Sequence, residues 1–185
     1  LTAFDLDGSS MTLDIDQIGS SNLFLGDIWA DSFTGFYEFS GSSNTFNIQV
    51  DPLNTYGADN TDQNISVTGS DNVFTLNQAT SALAASLDLD WIVQGSNNTI
   101  STSIDIDSAT NYVDLDGDDN TLTYDGDGIS TSAGGYFYLD HTGSTRTFNI
   151  QQQSSLNNDW LKIDSIGSNG TVCIIQDDNG TSTSC

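Results

Sequence analysis

The densest group of candidate metal ligands in the chain is the stretch Asp114-Leu115-Asp116-Gly117-Asp118-Asp119-Asn120. Carboxylate and amide oxygens are the ligands that Ca²⁺ prefers. The candidate calcium ligands are therefore Asp114, Asp116, Asp118, Asp119 and Asn120, and calcium is the one cofactor that the sequence suggests. The alternative is an ordinary turn in which Asp replaces the Ser found at the same positions elsewhere in the chain.

Groups that transfer protons or attack a substrate are scarce. The chain has one histidine (His141), one lysine (Lys162) and one arginine (Arg146), so acid–base and nucleophilic chemistry have few candidates. Two carboxylates at a defined separation would serve a polysaccharide-cleaving enzyme, but the Asp residues are spread along the whole chain. We expect no enzyme activity and no catalytic residues, with a polysaccharide-cleaving β-helix as the least favoured alternative. His141 is expected to be structural or to face solvent.

The formal net charge is −24, from 26 acidic residues against two basic ones. This acidic balance excludes the basic surface by which proteins bind nucleic acids and anionic membranes, and no apolar stretch approaches the ~20 residues that span a membrane.

Asp residues recur in outward-facing pairs: Asp5/Asp7, Asp14/Asp16, Asp88/Asp90, Asp105/Asp107, Asp114/Asp116 and Asp125/Asp127. Carboxylates stacked ~4.8 Å apart repel by about 0.9 kcal/mol per pair even in water, so we expect high salt or bound cations to be favourable.

The elements that position these residues are organised by a four-residue turn that occurs seven times. It begins at Gly19, Gly41, Gly69, Gly95, Gly117, Gly143 and Gly167. Successive glycines are 22 to 28 residues apart (19 to 41 is 22; 41 to 69 is 28), and self-similarity at a period of about 20–50 residues is typical of repeat architectures.

Apolar residues stand four before and five after every one of these glycines. Those before are Ile15, Tyr37, Ile65, Trp91, Val113, Leu139 and Ile163, and those after are Phe24, Phe46, Phe74, Ile100, Leu122, Phe148 and Val172. Apolar residues also alternate with polar ones around them, which indicates strands. The sequence therefore predicts an all-β protein with one domain over 1–185, a parallel β-solenoid (β-helix) of about seven strand-turn-strand coils. The alternative is an antiparallel β-sandwich in which each turn is a hairpin.

The connections opposite the turns vary in length and content, so one edge of each coil is constant and the other accepts insertions. The variable connections are 29–35, 51–62, 78–86, 108–111, 126–135 and 153–158.

The fourth turn position is Asn in five units: Asn22, Asn44, Asn72, Asn98 and Asn120. Asn accepts left-handed backbone geometry, and stacked Asn side chains can form an amide ladder. We therefore expect a structural ladder at this position and a left-handed backbone, and Arg146 in the sixth unit would be strained if it had the same geometry. The alternative is a common hairpin loop with no ladder.

Gln17-Ile18-Gly19-Ser20-Ser21-Asn22 fits the pattern Gln-x-Gly-x-x-Asn in full, and Gln49, Gln78, Gln151 and Gln176 follow later turns. The repeat therefore resembles the curlin repeat of curli-type extracellular amyloid and filament subunits, which has this core and a further Gln near those downstream positions. Most units lack the Gln before Gly, and the longer units exceed the family's regular spacing. The resemblance implies a secreted, self-assembling β-solenoid made of strand-arc-strand coils.

Cys173 and Cys185 are twelve residues apart. A disulfide between them would suit an oxidising compartment, and two free thiols are the alternative.

We therefore expect a structural subunit of an extracellular self-assembling filament or biofilm matrix that polymerises with itself through its terminal coils. The alternative is a cell-surface or virion adhesin that binds a surface glycan through the variable loops.

Overall fold

The computed structural model describes residues 2–51, 60–78, 86–105, 109–128, 135–154 and 159–177, which form fifteen strands and no helix. No helix long and apolar enough to cross a membrane occurs within these ranges. The strands are β1 Thr2–Ser9, β2 Thr12–Ile18, β3 Leu23–Asp31, β4 Thr34–Ser40, β5 Thr45–Val50, β6 Asp62–Thr68, β7 Val73–Gln78, β8 Asp88–Gln94, β9 Thr99–Asp105, β10 Thr110–Asp116, β11 Thr121–Gly128, β12 Tyr136–Thr142, β13 Arg146–Ser154, β14 Trp160–Ile166 and β15 Gly170–Asp177.

Alternate strands belong to two different sheets. The first sheet contains the eight odd-numbered strands and the second contains the seven even-numbered strands, both in order along the chain. Every strand pair is parallel; for example, β6 pairs with β4 on one side and β8 on the other. The chain is therefore a parallel β-solenoid, as predicted, and the antiparallel sandwich is wrong.

The core lies between the two sheets and consists of stacked columns of inward side chains. In the first sheet, Phe24, Phe46, Phe74 and Ile100 occupy equivalent positions of successive coils, and all are at most 2% exposed. The rings of Phe46 and Phe74 stack with their centroids 4.8 Å apart. The alternation of apolar residues in the sequence therefore gives each sheet one apolar face, and these two faces pack against each other.

The repeated turn connects each strand of the second sheet to the next strand of the first, and we call it the corner. Its backbone continues the hydrogen bonding between coils, since Gly69 N donates to Gln94 O at 2.9 Å and Asp71 N donates to Ser96 O at 3.1 Å. The corner glycines have positive φ, +144° at Gly95. A Cβ at Gly95 would lie 2.0 Å from the carbonyl oxygen of Gly69 in the preceding corner, so glycine is required by both backbone conformation and stacking.

The left-handed residue of the corner is the third, not the fourth. The third-position residues have φ between 55° and 61°: Ser21, Ser43, Asp71, Asn97, Asp119, Thr145 and Asn169. The five fourth-position asparagines and Arg146 have no positive φ. Our expectation of a left-handed backbone at the Asn position, and of strain at Arg146, was therefore wrong. Asn occupies that position because of its side chain.

Replacing Gly95 with alanine should test how much the stacking of corners constrains the fold. Gly95→Ala should lower the free energy of unfolding by about 4 kcal/mol, because it adds a clash with the Gly69 carbonyl to the cost of a positive φ. Gly19→Ala is the matched control: Gly19 has φ +129°, but its Cβ would contact nothing closer than Asn22 Nδ2 at 3.4 Å. It should cost about 2 kcal/mol. Urea unfolding monitored by circular dichroism measures the loss of unfolding free energy in both variants. Equal losses would contradict the prediction, because they would show that the corner relaxes to accommodate the added Cβ.

Candidate functional site

The five asparagines of the predicted ladder lie in one column along the inside of the corners, joined by hydrogen bonds from Asn22 to Asn120. Asn72 N donates to Asn98 Oδ1 at 3.0 Å, and Asn72 Nδ2 donates to the same oxygen at 3.2 Å. The amide of Asn98 in turn donates to Gly69 O at 3.1 Å. The Asn98 side chain therefore satisfies two backbone groups of the preceding corner, while its own backbone N–H donates to Asn120 Oδ1 of the next, and these bonds explain its burial.

A second ladder runs along the outside of the corners through the second turn position. Ser42 N donates to Ser20 Oγ at 3.2 Å, and Ser96 N donates to Ser70 Oγ at 3.0 Å. Each backbone N–H here bonds to the coil before it, whereas each Asn backbone N–H bonds to the coil after it. The two ladders therefore have opposite directions and make the two ends of the stack chemically different.

The predicted calcium ligands form an ordinary corner. Asp118 takes the place of the ladder serine, and its Oδ1 accepts a hydrogen bond from Ser144 N at 2.6 Å. Asn120 is buried, and its amide donates to the carbonyl oxygens of Gly95 and Gly117 at 2.9 and 3.0 Å. Asp114 and Asp116 belong to β10 and Asp119 is the left-handed corner residue. Across the described part of the chain, no three His, Cys, Asp or Glu side chains could hold a metal ion together; calcium binding here stays a prediction.

The sixth unit breaks the ladder because Arg146 replaces Asn. Arg146 Nη1 donates to Asn169 O at 3.3 Å, so the guanidinium bridges to the last corner.

His141, expected to be structural or exposed, is fully buried beside the sixth corner, with Nδ1 2.9 Å from Ser165 Oγ and its ring edge-on to Phe148. Burial, and secondarily the charge of Arg146, lowers the pKa of His141. The residue therefore packs as a neutral core side chain.

Cys173 in β15 is disulfide-bonded. The other cysteine of the predicted pair, Cys185, lies outside the described residues.

Buried polar side chains on the variable edge were missed by the sequence reasoning. Gln63 Nε2 donates to Gln78 Oε1, and Gln78 Nε2 donates to Thr61 Oγ1; all three side chains are at most 1% exposed. Asn111 Nδ2 donates to the hydroxyl of Tyr124 at 3.1 Å. Their sequence signal is a polar residue at an inward position of a strand, and their effect is to fasten the ends of the variable connections.

The outer face of the second sheet combines aromatic and acidic side chains. Tyr136 and Trp160 stack there with ring centroids 4.1 Å apart. Lys162 lies 4.3 Å from the centroid of the Tyr138 ring and 2.6 Å from Asp164 Oδ2. Hydrogen bonding from Lys162, and then from Tyr138, lowers the pKa of Asp164. This face therefore already holds one ammonium group between an aromatic ring and a carboxylate.

A groove of about 240 Å³ opens on the same face, over β2 to β8. Its lining includes Asp14, Phe36, Glu38, Asn64, Ser66, Asp90 and Ile92. Phe36 and Ile92 are 44% and 42% exposed and stand on either side of the shorter residues of β6. Burial, and then the charge of Asp62, raises the pKa of Asp90.

At the two ends of the described solenoid, the outermost strands have a neighbour on one side only and the core side chains are less buried. Within the described chain, β1 and β2 are the terminal strands at one end and β14 and β15 at the other. Phe4, Leu13, Ile15, Leu161 and Ile163 are only partly buried against the core. Among the large apolar side chains that the structure describes, Ile18 and Ile166 are the most exposed, at 79% and 72%.

No protein-family model matches the chain, and no curated protein or solved structure shows significant similarity to it.

Removal of one ladder amide should show that the ladder stabilises the stack. Asn98→Ala should lower the free energy of unfolding by about 3 kcal/mol, because it leaves the buried Asn72 N–H without its acceptor. Asn22→Ala is the control, since Asn22 is half-buried at the first corner and has no corner before it in the described chain; it should cost about 1 kcal/mol. Chemical unfolding of both variants measures the difference, and equal costs would contradict a cooperative ladder.

Protonation of outward carboxylates should stabilise the solenoid in mild acid. Asp88 is next to Asp62 in register, and burial, then Asp90 and Asp62, raises its pKa. A carboxyl group whose pKa is raised on folding binds a proton more readily in the folded state, so its destabilising effect is present at neutral pH and is lost as pH falls through that pKa. Asp88→Asn should therefore raise stability at pH 7 by less than about 1 kcal/mol, because the group is largely exposed. The gain should vanish near pH 3 in thermal unfolding, and a gain of the same size at both pH values would contradict repulsion as its cause.

Proposed function

We propose that the protein is a structural subunit that assembles with itself, end to end, into an extracellular filament or matrix. The observation that carries this proposal is one outward column of the second sheet. It runs Ile18, Ser40, Thr68, Gln94, Asp116, Thr142, Ile166. The five inner positions are polar, and the two end positions are the most exposed isoleucines in the described chain.

A head-to-tail joint that continues the register would bring these isoleucines together. Ile166 of one copy would stand next to Ile18 of the next at the ~4.8 Å spacing of adjacent strands. The half-exposed core side chains would meet as well, Leu161 opposite Leu13 and Ile163 opposite Ile15. Apolar surface that is costly in water at both ends would then be buried once per joint.

The charges at the two ends also favour head-to-tail joining. Asp14 begins the column that ends at Lys162, so the ammonium of one copy would lie beside the Asp14 carboxylate of the next. The chain's basic residues, Arg146 and Lys162, both lie near the C-terminal end. A joint between two N-terminal ends would instead oppose Asp5, Asp14 and Asp16 of one copy to those of the other.

The corner ladders have the polarity that such a joint needs. Ser168 Oγ at the last corner corresponds to the position that accepts a hydrogen bond from the next coil, and Ser20 N at the first corner corresponds to the donor. An extracellular setting is supported by the disulfide at Cys173, because disulfides persist in oxidising compartments. The alternative is a glycan-binding adhesin that uses the variable loops, and most residues of these loops lie outside the described ranges.

Electron microscopy and sedimentation at high ionic strength test the proposal directly. The protein should form filaments one solenoid wide, and Ile166→Lys should raise the concentration needed for assembly at least about tenfold, which corresponds to about 1.4 kcal/mol per joint. Thr68→Lys is the matched control, because Thr68 is an exposed inner position of the same column. A wild-type protein that stays monomeric in high salt and calcium would refute end-to-end assembly.

Cysteine cross-linking tests the direction of the joint. Mixed Ile18→Cys and Ile166→Cys proteins should form a disulfide-linked pair on oxidation, since neighbouring residues of adjacent strands fall within disulfide range. Dimers of Ile18→Cys alone, formed as readily as the mixed pair, would indicate joining of like ends.

A further inference from the structure

The groove on the outer face of the second sheet extends from β2 to β8, and only its Asp14 end lies at the proposed end-to-end joint. Its carboxylates are separated by apolar surface. In register, Asp14, Phe36, Asn64 and Asp90 form one column, so the two Asp residues are three strand spacings, or about 14 Å, apart. Glu38 lies in the neighbouring column, in register with Ser66 and Ile92. A single metal ion cannot span this arrangement, but a long molecule with a positive charge at each end can.

We propose that this groove binds a linear polyamine, with its terminal ammonium groups at Asp14 and Asp90 and its methylene chain over Phe36 and Ile92, beside the Glu38 carboxylate. The exposed Phe36 ring offers an apolar surface and a negative π-face, both of which suit an alkylammonium chain. The acidic rim excludes anionic ligands and favours cations.

The same face shows how an ammonium is held. Lys162 Nζ lies over the Tyr138 ring at 4.3 Å and pairs with Asp164 at 2.6 Å. At the groove, Phe36 takes the part of the ring, and Asp14 and Glu38 take the part of the carboxylate. Lys162 is the one lysine of the chain, and it belongs to β14 whereas the groove spans β2 to β8. The cation must therefore come from another molecule.

Two sources could supply the alkylammonium: a free polyamine, or Lys162 of an adjoining copy, which would lie beside Asp14 in a head-to-tail joint. The groove requires a second charge near Asp90, three strands from that joint, and this favours the free polyamine. The inference does not depend on assembly, because the groove is formed within one chain.

Titration calorimetry with spermidine, putrescine and magnesium chloride at fixed ionic strength tests the inference. Spermidine should bind about tenfold more tightly than putrescine, because putrescine is too short to reach both Asp14 and Asp90, and magnesium should bind more weakly than spermidine. Phe36→Ser and Asp90→Asn should each weaken spermidine binding about threefold. Asp27→Asn is the charge-matched control: Asp27 is exposed on the first sheet, and its loss should leave the affinity within the error of the measurement.

Three results would overturn the inference. Equal losses in Asp90→Asn and Asp27→Asn would indicate diffuse attraction to an acidic protein. Equal affinities for spermidine and putrescine would remove the two-point geometry. A neutral oligosaccharide that binds more tightly than spermidine, and that also requires Phe36, would make the groove a glycan site. Repeating the titration on the Ile166→Lys protein separates this inference from the proposed function, since binding should persist where assembly is blocked.

Discussion

Each coil of this protein must return to the same register as the coil before it, and this constraint governs the rest of the structure. In a parallel sheet, every residue lies beside the equivalent residue of its neighbours about 4.8 Å away. A position in the repeat is therefore a column in space. Which residues a column tolerates depends on how well each side chain packs against the side chains at the same position of the neighbouring coils, and this requirement is stricter than burial or exposure alone.

The corner shows how severe this requirement is. Its first residue must be glycine, because the carbonyl of the preceding corner occupies the place of a Cβ; at Gly167 that oxygen would be only 1.6 Å from a Cβ. Its fourth residue is held inside the corner, where a side-chain amide can donate to the glycine carbonyl of the preceding corner and accept from the fourth N–H of that corner. Asn satisfies both demands, and Arg146 reaches the next corner with its guanidinium instead. On the outer face the same geometry costs stability, since it aligns Asp114 with Asp140, and Asp140 with Asp164.

The fold could be predicted from the sequence because the register constraint leaves a periodic trace. Glycines at one position and apolar residues at fixed offsets from them are visible in a single chain. The left-handed residue could not be located, because the third position holds Ser, Asp, Asn and Thr and therefore has no common signature. Asn at the fourth position suggested a backbone preference, whereas its amide is what the corner uses. Asp118 shows the same limit, since its carboxylate simply replaces a serine hydroxyl in the ladder. The groove could not be predicted for a different reason. Asp14 and Asp90 are far apart in the sequence, and their positions in one groove follow only when the connection lengths between coils are known.

The columns also distinguish residues that every coil needs from residues that occur only at the ends of the solenoid. A residue type shared by all coils is explained by stacking, as the corner glycines are. A residue type confined to the ends is not explained by stacking between coils, because an inner coil would accept the same residue equally well or better. Ile18 and Ile166 interrupt a polar column only where the described strands have one neighbour, and each is placed where water contacts most of the side chain. Within the described strands each of these isoleucines has a neighbour on one side only, Ser40 for Ile18 and Thr142 for Ile166. In the head-to-tail joint that we propose, another copy of this chain would supply an isoleucine at the required position, a carboxylate for Lys162 and a donor for Ser168, without any change in register.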